Sequence, residues 1–121
     1  MQIQVNTSNG IENKDTLERW ADEQIRQNLS RFGAEVTRVE IHLSDENHVA
    51  KSAADKRCVM EARLAHHQPV AVTQDATNID EAFRGASDKL KRLLDSTLGR
   101  LKHRDRESIR KDVGEPLEPL E

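Results

Sequence analysis

From Gln2 to Thr7 polar and apolar positions alternate, with Ile3 and Val5 on one face, which predicts a short strand ended by the polar run from Asn6 to Gly10. The period then changes. Leu17, Trp20, Ala21, Ile25, Leu29 and Phe32 recur at helical spacing, with Asn13 as the expected N-cap, Asp15 in the first turn and Gly33 in the place of a left-handed C-terminal cap. Val36 to Ser44 returns to period two, with Thr37, Val39, Ile41 and Leu43 facing one way and Arg38, Glu40, His42 and Ser44 the other. Asp45 to Asp55 is polar and alanine-rich and reads as a mobile hairpin loop. Lys56 to His66 reads as the next strand, with Cys58, Met60, Ala62 and Leu64 inward. His66, His67, Gln68 and Pro69 predict a turn, and Val70 to Thr73 opens a fourth strand. Asn78 to Glu81 has the spacing of a capping box and starts a second helix, whose apolar stripe is Ile79, Ala82, Phe83, Ala86, Leu90, Leu93, Leu94, Thr97 and Leu101.

The order β-α-β-β-β-α predicts a two-layer α+β fold. Strand one is parallel to a neighbour in a four-stranded mixed sheet, the remaining strands form antiparallel hairpins, and both helices pack on one face. The other face is polar, because Arg38, Glu40, His42, Arg57, Glu61 and Arg63 all project there. A chain of 121 residues supports one core, assigned to residues 1–102. Residues 103–121 lose the apolar period, carry Pro116 and Pro119, and read as a charged, disordered tail.

Charge adds what periodicity cannot. Residues 84–111 hold ten Lys or Arg against four acids, a net of +6, whereas the whole chain sums to −3. Such asymmetry attracts polyanions locally while the acidic remainder opposes indiscriminate binding. On the second helix, Lys89, Arg92 and Arg100 fall along one flank of the stripe and Arg84, Lys91 and Lys102 along the other. The only aromatics are Trp20, Phe32 and Phe83, too few for a base-stacking platform, so any nucleic-acid contact is expected to be to phosphate.

Other chemistry is sparse. Cys58 alternates with Met60 and Leu64 and reads as a buried structural thiol; a single cysteine excludes an intramolecular disulfide and suits a reducing, cytoplasmic setting. His66 and His67 are adjacent, and adjacent strand residues point to opposite faces, so no metal site is expected. Glu40, His42 and Glu61 are expected in cross-strand charge pairs rather than in acid–base catalysis. The N-terminus has neither a basic leader nor an apolar run, and no stretch is long enough to cross a membrane. No catalytic residues, cofactor or DNA partner are expected.

The local text is more specific than the pattern. Gly10, Ile11 and Glu12 lead to Leu17 at the start of helix one; Ala82 and Phe83 are followed by Asp88, Lys89, Leu90, Lys91, Arg92, Leu93 and Leu94. With the order of elements over residues 1–102, this resembles the bacterial ribosome hibernation-promoting factor and ribosome-associated inhibitor family, in its short form. The resemblance implies a non-enzymatic, cytoplasmic stress protein that binds the small ribosomal subunit in the channel used by messenger and transfer RNA and inhibits translation. It implies 16S rRNA as the partner, with the free protein a monomer or weak dimer. Lys89 and Arg92 match the family's basic helix. Lys91 is added on charge grounds, with Arg84, Arg100 and Lys102 in support. Where family members commonly continue with lysines, this chain has Asp95 to Gly99. A second reading therefore stays open: a divergent protein-interaction module of the same fold. A small enzyme is a remote third.

Overall fold

The computed structural model describes residues 1–8, 11–45 and 55–114, with side chains as far as Arg100. The elements are β1 (Gln2–Thr7), α1 (Lys14–Asn28), a 3-10 turn (Ser30–Phe32), β2 (Val36–Asp45), β3 (Lys56–Leu64), β4 (His67–Ala76) and α2 (Ile79–Gly114). The sheet order is β1-β2-β3-β4, with β1 parallel to β2 and the other two pairings antiparallel. The predicted α+β order and sheet are therefore the ones observed. Of the loop expected over 45–55, Asp45 instead ends β2, and 46–54 lie outside the described residues.

Two compact units make up the chain, one ending at Lys91 and the next beginning at Arg92. In the first, Val39, Ile41 and Leu43 of β2 and Cys58, Met60 and Ala62 of β3 are fully or almost fully buried, together with Ala21 and Ile25 of α1 and Ala82, Phe83, Ala86 and Leu90 of α2. The helices meet through a ring pair, Trp20 on Phe83 with centroids 4.8 Å apart and planes tilted by 54°. Beside it, Asn28 Nδ2 donates to the hydroxyl of Ser87 at 3.0 Å. Ser87 is buried although it lies outside the predicted stripe, and this hydrogen bond is what makes a polar group tolerable there. In the second unit Leu94 and Thr97 are buried.

Five further local expectations need correction. Thr37 does not share the inner face of β2: the register shifts between Val36 and Arg38, so Val36 is buried and Thr37 exposed. A bulge inserts one residue and inverts the alternation on one side of it. β3 stops at Leu64, and β4 starts at His67 and includes Pro69. Its register also shifts, with Ala62 opposite Val70 but Leu64 opposite His67. On an edge strand with an extra residue, proline's missing N–H breaks no necessary ladder bond. Asn13 precedes α1 as expected, but in the left-handed conformation (φ 55°, ψ 47°) and without a side-chain cap bond. Gly33 is right-handed (φ −60°, ψ −26°), because α1 passes into the 3-10 turn and the Gly33 N–H continues it to the Ser30 carbonyl at 3.2 Å. Finally, α2 continues beyond the apolar stripe to Gly114. The Lys/Arg/Glu-rich text there is good helix material, and no proline intervenes before Pro116. Residues 115–121 lie outside the described residues.

At its start α2 is capped as predicted: Asn78 Oδ1 accepts the Glu81 N–H at 2.8 Å. The Glu81 carboxylate accepts the Thr77 hydroxyl at 3.1 Å instead of returning to Asn78. The two helix glycines serve different ends. A Cβ at Gly85 would stand 2.6 Å from Gln74 Cγ, so glycine lets α2 approach β4, whereas one at Gly99 would meet nothing within 4 Å. Gly99→Ala is expected to stabilise the helix by about 1 kcal/mol. Gly85→Ala is expected to lose that gain to overpacking and end about 1 kcal/mol less stable than the parent. Urea melts followed by far-UV circular dichroism check both signs; equal stabilisation by the two would contradict the close packing.

Candidate nucleic-acid interface

The described candidates Arg84, Lys89, Lys91, Arg92 and Arg100 all lie on α2. Arg84, Lys89 and Lys91 belong to the first unit and Arg92 and Arg100 to the second, while the Lys102 side chain is outside the described residues. At 100° per residue Lys89 and Lys91 stand about 160° apart around the helix. The first unit shows what each flank adjoins. Lys89 reaches β4, its ammonium donating to the Thr73 carbonyl at 2.9 Å. Lys91 is half-buried and lies one helical turn on from Ser87, which bonds α1.

What decides the electrostatics is the partner each cation has. Arg84 alone among these five forms an ion pair with a described residue: its Nε meets Asp80 Oδ1 at 3.0 Å, one turn back, on the surface. Lys89 has a carbonyl and Arg100 the Ser96 hydroxyl, 2.9 Å from its guanidinium, and both partners are neutral. Arg92 is exposed, and neither it nor Lys91 has an ion pair with a described residue. Four positive charges on α2 therefore remain uncompensated by any described carboxylate.

The polar sheet face is organised in the opposite way. Arg38 donates to Glu40 at 2.9 Å, to Gln2 Oε1 at 3.2 Å and to Gln4 Oε1. Arg63 lies 3.9 Å and His42 3.7 Å from the same Glu40 carboxylate. The Arg38 hydrogen bond, helped by these neighbouring charges, holds the Glu40 carboxyl below its usual range. Arg57 pairs with Asp75 at 2.8 Å. Of the expected cross-strand pairs only Glu40 with Arg63 forms; His42 meets Glu40 on its own strand, and Glu61 stands opposite Glu40 with no ion pair to a described residue. Sequence reasoning had no means to separate the two surfaces, since both are rich in Arg; the separation lies in which cations find carboxylates.

Elsewhere the chemistry is structural. Cys58 is fully buried, and burial pushes its thiol pKa up to about 12, so it stays protonated at neutral pH. His66 and His67 are exposed, with His67 Nδ1 2.8 Å from the Gln68 carbonyl. A shallow groove of about 570 Å³ has apolar walls from Ile11, Leu17, Trp20 and Ile79. Its lysine, Lys56, is held above the usual ammonium range by its hydrogen bond to Asp55 at 3.0 Å and by Asp45 at 3.4 Å. No described helix is long and apolar enough to cross a membrane.

Known proteins bear on the fold and the family. The N-terminal domain of Protein Y from Thermus thermophilus superposes with a TM-score of 0.62 at 16% identity, covering 78% of this chain and 96% of that one. A ribosomal subunit interface protein from Coxiella burnetii gives a TM-score of 0.60 at 15% identity, covering 82% and 99%. At such identities the likeness concerns the fold. No curated protein sequence shows significant similarity. A family model described as sigma 54 modulation protein / S30EA ribosomal protein matches residues 3–102, which spans the sheet, α1 and the basic start of α2; the chain belongs to that family.

Proposed function

We propose that this chain is a ribosome-binding hibernation factor of the cytoplasm. It occupies the messenger and transfer RNA channel of the small subunit and inhibits translation under stress, with α2 cations contacting phosphates of 16S rRNA. The observation that carries the reading is the set of partners on α2: Lys89, Lys91, Arg92 and Arg100 keep their charge uncompensated by described carboxylates, while the sheet face neutralises its own. Phosphate contact needs no base-reading aromatics, and folded RNA is recognised largely by shape and backbone. Family membership favours a ribosomal partner over other polyanions.

Each phosphate contact releases counterions, so four such cations are expected to give a logarithmic salt slope of about −3 to −4 by the duplex rule. Co-sedimentation with purified small subunits between about 0.05 and 0.3 M KCl measures it. A slope near zero would sink the phosphate mechanism and favour a protein-interaction module.

A further inference from the structure

The two edges of the sheet are finished differently. On β4, Pro69 lies at the register shift and the Lys89 ammonium is fastened to the Thr73 carbonyl, both of which oppose the addition of another strand. β1 is guarded only at its entry, where the Arg26 guanidinium donates to the Met1 carbonyl at 3.4 Å, ahead of the strand. It pairs with β2 in unbroken register from Gln2 to Thr7 and contains no proline and no charged residue.

The backbone groups left over can be identified. The Ser8 N–H donates to the Leu43 carbonyl at 3.0 Å, and in a parallel ladder the residues that bond the neighbour alternate. Gln2, Gln4 and Asn6 therefore point toward β2, and the N–H and C=O groups of Ile3, Val5 and Thr7 point away from it. α1 leaves this edge open, since a groove of about 500 Å³ runs beside it, lined by Val5 and by Asp15, Glu18, Arg19, Asp22 and Glu23.

We propose that β1 is a self-association edge, which pairs antiparallel with β1 of a second copy of this chain to make a weak two-fold dimer with a continuous eight-stranded sheet. The strand is its own complement. With Val5 opposite Val5 of the second copy on the dyad, Ile3 faces Thr7, and the three outward N–H groups of each copy all find carbonyls. On the polar face Gln4 then stands opposite Asn6, amide against amide, so no like charges meet across the new ladder. The pairing also covers Val5 from the groove side. An interface of one six-residue strand is small, so the dissociation constant is expected at roughly 0.1–1 mM. In each groove Asp22 is paired with Arg26 at 2.6 Å, which leaves Asp15, Glu18 and Glu23 against Arg19, and the two grooves approach across the dyad. Salt therefore strengthens this association, the reverse of its effect on phosphate binding.

Sedimentation equilibrium of the full chain at rising concentration and salt, with amide exchange read by NMR, tests the proposal. The expected result is a dimer that tightens with salt, with exchange slowing on association at Ile3, Val5 and Thr7 but not at Gln4 or Asn6. Asn6→Lys is expected to weaken it at least about tenfold with an unchanged melt. Mixing that variant with Gln4→Glu copies sets Lys against Glu across the ladder and restores association. A monomer throughout the range, protection that maps elsewhere, or indifference to Asn6→Lys overturns the proposal, as does strand addition by a different protein.

Discussion

Replacing Lys89, Lys91 and Arg92 together by Glu is expected to lower affinity for the small subunit on the order of a hundred- to a thousandfold, while the thermal melt stays nearly intact. Three uncompensated positive charges become three negative ones on a helix whose charge density is the proposed source of attraction. Arg92 is exposed and Lys91 lacks a described carboxylate partner, so neither reversal breaks a native ion pair with a described residue. Lys89→Glu gives up the Thr73 carbonyl bond, an exposed contact of modest worth, about 1 kcal/mol. The matched control is Arg84→Glu. Arg84 is already paired with Asp80, so its reversal is expected to change binding far less than any of the other three. Co-sedimentation of the triple variant at the parent's level in moderate salt would refute the assignment of α2.

The largest effect on stability is expected from Phe83→Ala. Phe83 is 1% exposed and forms the aromatic contact between the two helices. Truncating such a ring costs about 3–5 kcal/mol through lost burial and the cavity left behind, of which the ring pair accounts for roughly 0.5–1.5. Against a typical total of about 5–15 kcal/mol, this removes a large fraction of the fold's stability. Trp20 is the single tryptophan, so its fluorescence in a urea titration reports both the altered contact and the shifted midpoint. A loss below about 1 kcal/mol would show that the two helices do not depend on this pair.

Long periodic segments were legible because burial on one face imposes a period that a reader can count. Val39, Ile41 and Leu43 against Arg38, Glu40 and His42 announced a strand with one wet side, and Ala82, Phe83, Ala86 and Leu90 announced the helix that covers the other. The breaks in those periods were not legible. Val36 and Thr37 exchanged faces, and β4 began early through Pro69, because a bulge depends on the partner strand's register and not on the residue itself. Ser87 fell outside the stripe because its burial depends on Asn28, far away in sequence.

The candidate site divides along the same line. That residues 84–111 are basic, and that Lys89 and Arg92 share a flank, follows from the one-dimensional text, since side-chain charge and helical angle are local properties. Which cations remain uncompensated by a described carboxylate does not. Arg57 looks as available as Arg92 in the sequence, yet sheet pairing sets Asp75 beside it, whereas Arg38 finds Glu40 two residues along its own strand. The contrast between a guarded β4 edge and an open β1 edge is likewise a product of strand order. Local spacing determined the elements and their charge, and only the long-range arrangement decided which charges and backbone groups were left unsatisfied, because Coulomb and hydrogen-bond partners are chosen by distance in space.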